Sequence, residues 1–97
     1  MKLLLSQPNI DINRQTNKGY TALTAAAYTG HTEIMNLLLA QTDININIQD
    51  DIGYTALTEA AVKGHTEIVR LLLAHPDVDI NIQDKKGNPA IYFFVFL

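Results

Sequence analysis

A chain of 97 residues has room for one small domain, and its formal net charge of -3 gives no electrostatic reason to expect nucleic acid or an anionic membrane as a partner. Apolar residues make up 47% of the chain and charged residues 18%, which fits a folded soluble domain and argues against disorder. The absence of cysteine excludes disulfides and thiolate metal sites. It also suits a reducing compartment, so we expect a cytoplasmic location.

The two ends of the chain are apolar but too short to be targeting or membrane segments. The N-terminal leucine run covers only residues 3–5, whereas the core of a signal peptide needs roughly 7–15 apolar residues. The C-terminal run covers residues 90–97, and a helix needs about 20 apolar residues to cross a bilayer. We therefore expect no membrane partner.

A period of 34 residues runs through the chain. Glycines recur at Gly19, Gly53 and Gly87, and leucine triplets recur at residues 3–5, 37–39 and 71–73. Residues 17–50 and residues 51–84 are identical at 23 of 34 positions. Self-similarity at this period is typical of solenoids, in which stacked copies bury one continuous core.

Each unit contains an alanine-rich helix followed by a leucine-rich one. In the first full copy a helix is predicted over residues 21–29, because alanine is the strongest helix former and Gly30 follows as a helix-ending residue. A second helix is predicted over residues 33–40, where Ile34, Leu37 and Leu38 recur at helical spacing. The polar, Asn- and Asp-rich residues 43–53 then predict an extended loop closed by a turn.

Residues 50–73 read Asp-Asp-Ile-Gly-Tyr-Thr-Ala-Leu-Thr-Glu-Ala-Ala-Val-Lys-Gly-His-Thr-Glu-Ile-Val-Arg-Leu-Leu-Leu, and residues 16–39 repeat most of this pattern. The pattern closely resembles the ankyrin repeat. The family's Thr-Pro-Leu-His corner is Thr-Ala-Leu-Thr in both copies, with Ala22 and Ala56 replacing proline and Thr24 and Thr58 replacing histidine. Each unit is also slightly longer than the usual repeat of about 33 residues. The resemblance implies an all-α, ankyrin-type solenoid of stacked helix-turn-helix repeats with extended loops and β-turn tips.

The predicted array is a single domain over residues 1–97. It comprises a partial repeat at 1–16, full repeats at 17–50 and 51–84, and a divergent or truncated terminal repeat at 85–97. In the terminal unit Phe93, Phe94 and Val95 fall at the positions that alanines hold in residues 25–27. Three interpretations stay open: a divergent helix that lays its aromatic face over the last repeat, a tail from a gene fragment or shifted reading frame, or a buried contact with a second copy.

The sequence contains no motif for catalysis, cofactor binding or metal binding, and we predict that the chain is not an enzyme. His31 and His65 hold the same repeat position, so stacking would separate them too far to share one zinc ion. The loop aspartates lack the spacing of a calcium loop. We expect them to accept hydrogen bonds from nearby backbone amides, and they are Asp50, Asp51, Asp77 and Asp79.

The resemblance implies a protein–protein interaction module that presents the loop tips and the inner helices, the concave face of such arrays, to a protein partner. Several positions that differ between the two full copies fall on this face, where tyrosine is a common interface anchor. The candidate partner-binding residues are Lys18, Tyr20, Tyr28, Asp51, Ile52, Tyr54, Glu59, Val62, Lys63, Lys85 and Lys86. The alternative is a structural or assembly element whose uncapped ends stack with further repeats or with another copy.

Overall fold

The computed structural model of the chain describes residues 11–94. These residues form five helices: α1 (Ala22–Thr29), α2 (Thr32–Leu39), α3 (Ala56–Lys63), α4 (Thr66–Leu73) and the short α5 (Ile91–Phe94). Within this part of the chain there is no strand, and a single antiparallel bridge joins Gln83 and Pro89. The predicted all-α fold is confirmed. The leucine triplet at residues 3–5 and the tail at 95–97 lie outside the described residues.

The first helix of each repeat is fixed at both ends by its own sequence. Thr21 caps α1, with its hydroxyl oxygen accepting a hydrogen bond from the Thr24 backbone N–H at 3.1 Å. Thr24 completes a capping box, because its Oγ1 accepts the Thr21 N–H at 2.7 Å. Gly30 ends the helix at φ 79, a left-handed conformation that glycine adopts without strain. The threonine that stands in place of the family's histidine therefore stabilises the helix start.

The helices form two layers that share one core. α1 packs on α3 in the inner layer, α2 packs on α4 in the outer layer, and each inner helix packs on the outer helix of its own repeat. Alanines occupy the buried side of the inner helices, and small side chains let the helix backbones approach closely. The large side chains that are less than 2% exposed include Leu23, Met35, Leu38, Ile68 and Leu72.

The extended loops are joined to each other by side-chain amides that repeat at the 34-residue step. Gln15 Nε2 donates hydrogen bonds to the Gly19 carbonyl at 2.9 Å and to the Gln49 carbonyl of the next repeat at 3.0 Å. Gln49 repeats this role, donating to the Gly53 carbonyl at 2.9 Å and to the Gln83 carbonyl at 2.8 Å. The loops predicted from the Asn- and Asp-rich segments are therefore ordered along the stack.

The four-residue α5 packs its aromatic side chains at the edge of the last full repeat. The ring of Phe93 lies edge-on to that of Tyr54, with the ring centroids 5.6 Å apart. Phe93 and Phe94 are half-buried against the core, whereas Ile91 and Tyr92 are 60% and 55% exposed. For residues 91–94 this packing favours the first of the three interpretations, a divergent helix whose aromatic face covers the last repeat.

Candidate protein-binding surface

The loop tips at residues 17–18, 51–52 and 85–86 are tight turns stabilised by a side chain that precedes each of them. Asp50 Oδ1 accepts the backbone N–H groups of Ile52 at 3.0 Å and of Tyr54 at 2.9 Å. Asp84 Oδ1 repeats the arrangement in the next turn, and in the first turn the hydroxyl of Thr16 accepts the Tyr20 N–H at 3.2 Å. Each tip is thereby held in one conformation.

The predicted role of the loop aspartates holds for two of the four residues. Asp50 accepts backbone amides as described, and Asp79 Oδ1 accepts the Asn81 N–H at 2.9 Å. For Asp51 and Asp77 the prediction is wrong, since neither side chain forms such a bond within residues 11–94. Both side chains are exposed to solvent instead.

Backbone hydrogen bonds join neighbouring tips into one row. The Asp51 N–H donates to the Lys18 carbonyl at 3.0 Å, and the Lys85 N–H donates to the Ile52 carbonyl at 3.2 Å. We call this row, together with the exposed side of α1 and α3, the inner surface. The candidate residues exposed on it are Lys18, Tyr28, Asp51, Ile52, Val62, Lys63, Lys85 and Lys86, and Tyr20 and Tyr54 are half-buried.

Two grooves of the inner surface are lined by candidate partner-binding residues. The first has a volume of about 420 Å³ and is lined by Tyr20 and Tyr28 together with Thr16, Ala25 and Thr29. The side chain of Lys63 reaches across from α3, and its Nζ lies 4.5 Å from the centre of the Tyr28 ring. This contact joins two repeats at the edge of the groove, which we call the tyrosine groove.

The second groove lies at the C-terminal end of the same row of tips and has a volume of about 360 Å³. Its lining combines the tip residues Ile52, Lys85 and Lys86 with aromatic residues of α5, and its full lining is Ile52, Tyr54, Asp84, Lys85, Lys86, Asn88, Tyr92 and Phe93. The predicted set of partner-binding residues did not include seven residues that line these grooves: Thr16, Ala25, Thr29, Asp84, Asn88, Tyr92 and Phe93. The small side chain of Ala25 was the one available signal, because a small residue between two tyrosines leaves space.

Glu59 corrects the predicted set, because this side chain is only 3% exposed and is not presented at the surface. It lies with Asp50, which is 6% exposed and whose Oδ2 receives no hydrogen bond from an N–H or hydroxyl group. The pKa of Glu59 is raised to about 8, first by burial, then by its hydrogen bond to Asp50 and by the negative charge of Asp50, against a lowering effect of Lys63. With this pKa Glu59 carries a proton at neutral pH, and that proton can be donated to the buried Oδ2 of Asp50.

The two half-buried tyrosines remain neutral at physiological pH. Burial raises the pKa of Tyr20 above its usual 10.0, and the negative charges of Glu59 and Asp50 add to the effect. Burial also raises the pKa of Tyr54, with a further contribution from Asp84. Both phenols therefore keep their proton and can donate a hydrogen bond to a bound partner.

The histidines make contacts of a structural kind. His65 Nε2 lies 3.0 Å from the Tyr28 carbonyl oxygen of the preceding repeat, and His31 Nδ1 lies 3.0 Å from Thr29 Oγ1. Among residues 11–94, no group of three or more histidine or acidic side chains is arranged to hold a metal ion. In the same part of the chain, the helices are too short and too polar for any of them to span a bilayer.

A two-layer stack of helix pairs, with laddered loops and a 34-residue step, defines a solenoid repeat protein. A family model for ankyrin repeats, with three copies, matches residues 1–84. The chain belongs to the ankyrin repeat family, as its sequence pattern predicted. Ankyrin repeats are generally protein–protein interaction modules and are typically not catalytic. No individual curated protein matches the sequence.

Proposed function

We propose that this chain is a non-catalytic binding module and that a protein partner docks on the inner surface. The tyrosine groove is the observation that carries the proposal. It places Tyr28, which is 46% exposed, beside Tyr20 at a recess large enough for a side chain of the partner. Tyrosine contributes a large contact area with few rotatable bonds, which is why it is frequent among the residues that dominate binding energy.

The rigidity of the surface supports the same proposal. The tips are held by Asp50, Asp84 and Thr16 and are joined to each other by backbone hydrogen bonds. A binding site that is already ordered loses little conformational entropy when the partner arrives. The exposed apolar side chains of Ile52 and Val62, at 53% and 40% exposure, lie on this ordered surface.

Changing both groove tyrosines tests the binding site. A partner captured by the immobilised chain is identified and purified, and its affinity is measured by calorimetry. We expect the double variant Tyr20→Ala, Tyr28→Ala to bind at least about tenfold more weakly, because both anchors of the groove are removed. Leu73→Ala is the matched control, since Leu73 is a large apolar residue 42% exposed on the outer helix α4. If the double variant binds within about twofold of the unmodified chain, the tyrosine groove is not the binding site.

A second candidate function, assembly with another copy, is favoured by an open face of α1. This face is lined by Ala22, Ala25, Ala26, Thr29, His31 and Ile34, around a groove of about 290 Å³. On this face Ala22 is half-buried and Ala25 is exposed, whereas Ala56 and Glu59, which hold the same positions in the second repeat, are buried where α1 packs on α3. Successive repeats are stacked with the same geometry. The open face of α1 therefore has the shape that packs against the inner helix of another repeat.

Light scattering during size-exclusion chromatography tests the assembly function. If copies stack on α1, the measured mass rises with protein concentration, and Ala25→Arg restores the mass of one chain because a charged side chain then stands in the helix contact. Asn36→Arg is the control, because Asn36 is exposed on α2 and the second repeat carries Arg70 at the same position. A mass of one chain across a wide range of concentration rules out assembly through this face.

A further inference from the structure

The charges of the inner surface differ in sign from those of the whole chain. The formal net charge of the chain is -3, yet the exposed charges of the inner surface are four lysines and one aspartate. These residues are Lys18, Lys63, Lys85, Lys86 and Asp51. The other exposed acidic side chains lie on the outer helices or in the loops away from the tips, for example Glu33, Glu67 and Asp77. The positive charge is therefore concentrated where the grooves are.

Within residues 11–94 none of the inner-surface lysines forms an ion pair. Among residues 11–94 the one ion pair is Arg70 with Glu67, on the outer helix α4, at 3.4 Å. The two buried aspartates beneath the tips, Asp50 and Asp84, each direct one oxygen at two backbone N–H groups. The lysine charges are thus available to a bound partner.

The tyrosine groove adds an apolar recess to this positive surface. Its lining is almost wholly apolar, and Lys63 stands at its edge with Nζ over the Tyr28 ring. A side chain that enters the recess brings its neighbours in sequence close to that ammonium group. A partner segment in which an apolar side chain is followed by a carboxylate would fill the recess and pair with the ammonium group of Lys63.

Building on the proposed function, we propose that the inner surface receives an acidic peptide segment whose aromatic side chain occupies the tyrosine groove and whose carboxylates pair with Lys63 and the tip lysines. The row of tips offers lysines at both ends, at Lys18 and at Lys85 with Lys86.

A peptide fits this charge pattern better than a nucleic acid does. The middle tip carries Asp51 and Ile52 in place of lysine, so the positive row is interrupted. The evenly spaced phosphates of a nucleic acid would meet that carboxylate, whereas a peptide can place an apolar or neutral residue there. The inner surface also lacks arginine, the usual partner of phosphate in bidentate contacts.

Fluorescence anisotropy with synthetic probes and the full chain tests the proposal. The main probe is a fluorescein-labelled peptide of about 12 residues, roughly 40 Å long when extended, with a central Phe and Asp or Glu at alternate positions. Three control peptides each change one property. In the first, Asn or Gln replaces every acidic residue; in the second, Lys replaces them; in the third, Ala replaces the Phe. A thymidine oligonucleotide of similar length is the nucleic-acid probe. We expect the acidic peptide with Phe to bind at least about tenfold more tightly than every other probe, and to weaken with added salt.

Variants of the chain locate the contact. Lys63→Gln is expected to weaken binding of the acidic peptide by about three- to tenfold, whereas Arg70→Gln removes the same charge from α4 and leaves binding within about twofold. Tyr28→Ala is expected to remove most of the difference between the Phe and Ala peptides. All three variants change exposed side chains, and thermal unfolding verifies that they fold.

Three results overturn the acidic-segment proposal, and each can be told apart from a failure of the proposed function. If the amide or lysine peptide binds as tightly as the acidic one and Tyr28→Ala abolishes that binding, the groove still binds protein but does not select acidic segments. If the oligonucleotide binds most tightly, or no peptide binds, the acidic-segment proposal is wrong. The captured-partner measurement with the Tyr20 and Tyr28 variant then decides the binding function separately.

Discussion

Replacing Gly53 with alanine is expected to lower the free energy of unfolding by about 2–4 kcal/mol, whereas Gly87→Ala lowers it by only about 1 kcal/mol. Both glycines have positive φ, 92 and 84, so an alanine is strained at either position. Only Gly53 has backbone against it: an added Cβ would lie 2.8 Å from the Lys85 nitrogen and 2.9 Å from the Asp84 Cα. At Gly87 nothing lies within 4 Å.

The pair of variants separates conformational strain from the close contact between loop tips. Chemical denaturation of both proteins, with the slopes compared, gives the two changes in free energy. Gly19→Ala is an independent repetition of the test, because its added Cβ would lie 2.9 Å from the Asp50 Cα and from the Asp51 nitrogen. Equal losses at Gly53 and Gly87 would mean that the tips can move apart and that their close approach contributes nothing to stability.

The elements of the fold could be predicted from the sequence because each one is set locally. The helix over residues 21–29 was predicted from alanine content and Gly30, and α1 runs over Ala22–Thr29. The second helix, predicted over residues 33–40, runs over Thr32–Leu39. Local propensity, a capping threonine and a glycine in the left-handed region suffice for these boundaries.

The burial of Glu59 could not be predicted, because it depends on which repeat lies beside it. Glu59 and Ala25 hold the same position in the 34-residue unit, yet Ala25 is exposed and Glu59 is 3% exposed. Glu59 stands on the face of α3 that α1 covers, close to Asp50. The repeat pattern treats the two copies as equivalent, so it does not show which inner helix is covered by the helix of a preceding repeat.

The tyrosine groove was predicted only in part for a similar reason. Tyr20 and Tyr28 were selected from differences between the copies and from their chemistry, but the contact of Lys63 with Tyr28 joins residues of different repeats. Such a contact is set by the register of stacking and by the small volume of Ala25. Neither quantity follows from helix propensity or from the repeat length.

Glu59→Gln is expected to remove most of the stability loss that the unmodified chain shows as the pH rises from about 4.5 to about 8. The folded pKa of Glu59 is about 8 and its ordinary value is 4.5, so the folded state keeps a proton that the unfolded state releases. The contribution of the protonated pair is complete below about pH 4.5 and is lost as the pH rises through about 8. Above that value, two buried carboxylates repel each other, and only Lys63 offers an opposite charge.

The size of the effect follows from the same difference in pKa. At about 1.36 kcal/mol per unit of pKa, the shift corresponds to at most roughly 5 kcal/mol of unfolding free energy. Because Glu59 titrates together with Asp50, we expect the unmodified chain to lose about 2–4 kcal/mol of stability between about pH 5 and about pH 9. The amide of glutamine can donate a hydrogen bond to Asp50 Oδ2 and does not titrate. The variant should therefore gain stability relative to the unmodified chain as the pH rises. Tyr20 and Tyr54, which also face Glu59, titrate above 10 and stay out of this range.

Chemical denaturation is carried out at each pH, and the difference between the variant and the unmodified chain removes every pH-dependent contribution that both proteins share. Glu67→Gln is the matched control, because Glu67 is exposed on α4 and pairs only with the exposed Arg70. Its profile should follow that of the unmodified chain within about 0.5 kcal/mol, since exposed ion pairs contribute little. If Glu59→Gln follows the unmodified chain as closely as Glu67→Gln does, then Glu59 and Asp50 share no proton. The buried oxygen of Asp50 would then need a different donor, and the pH dependence of the fold would have to come from elsewhere in the chain.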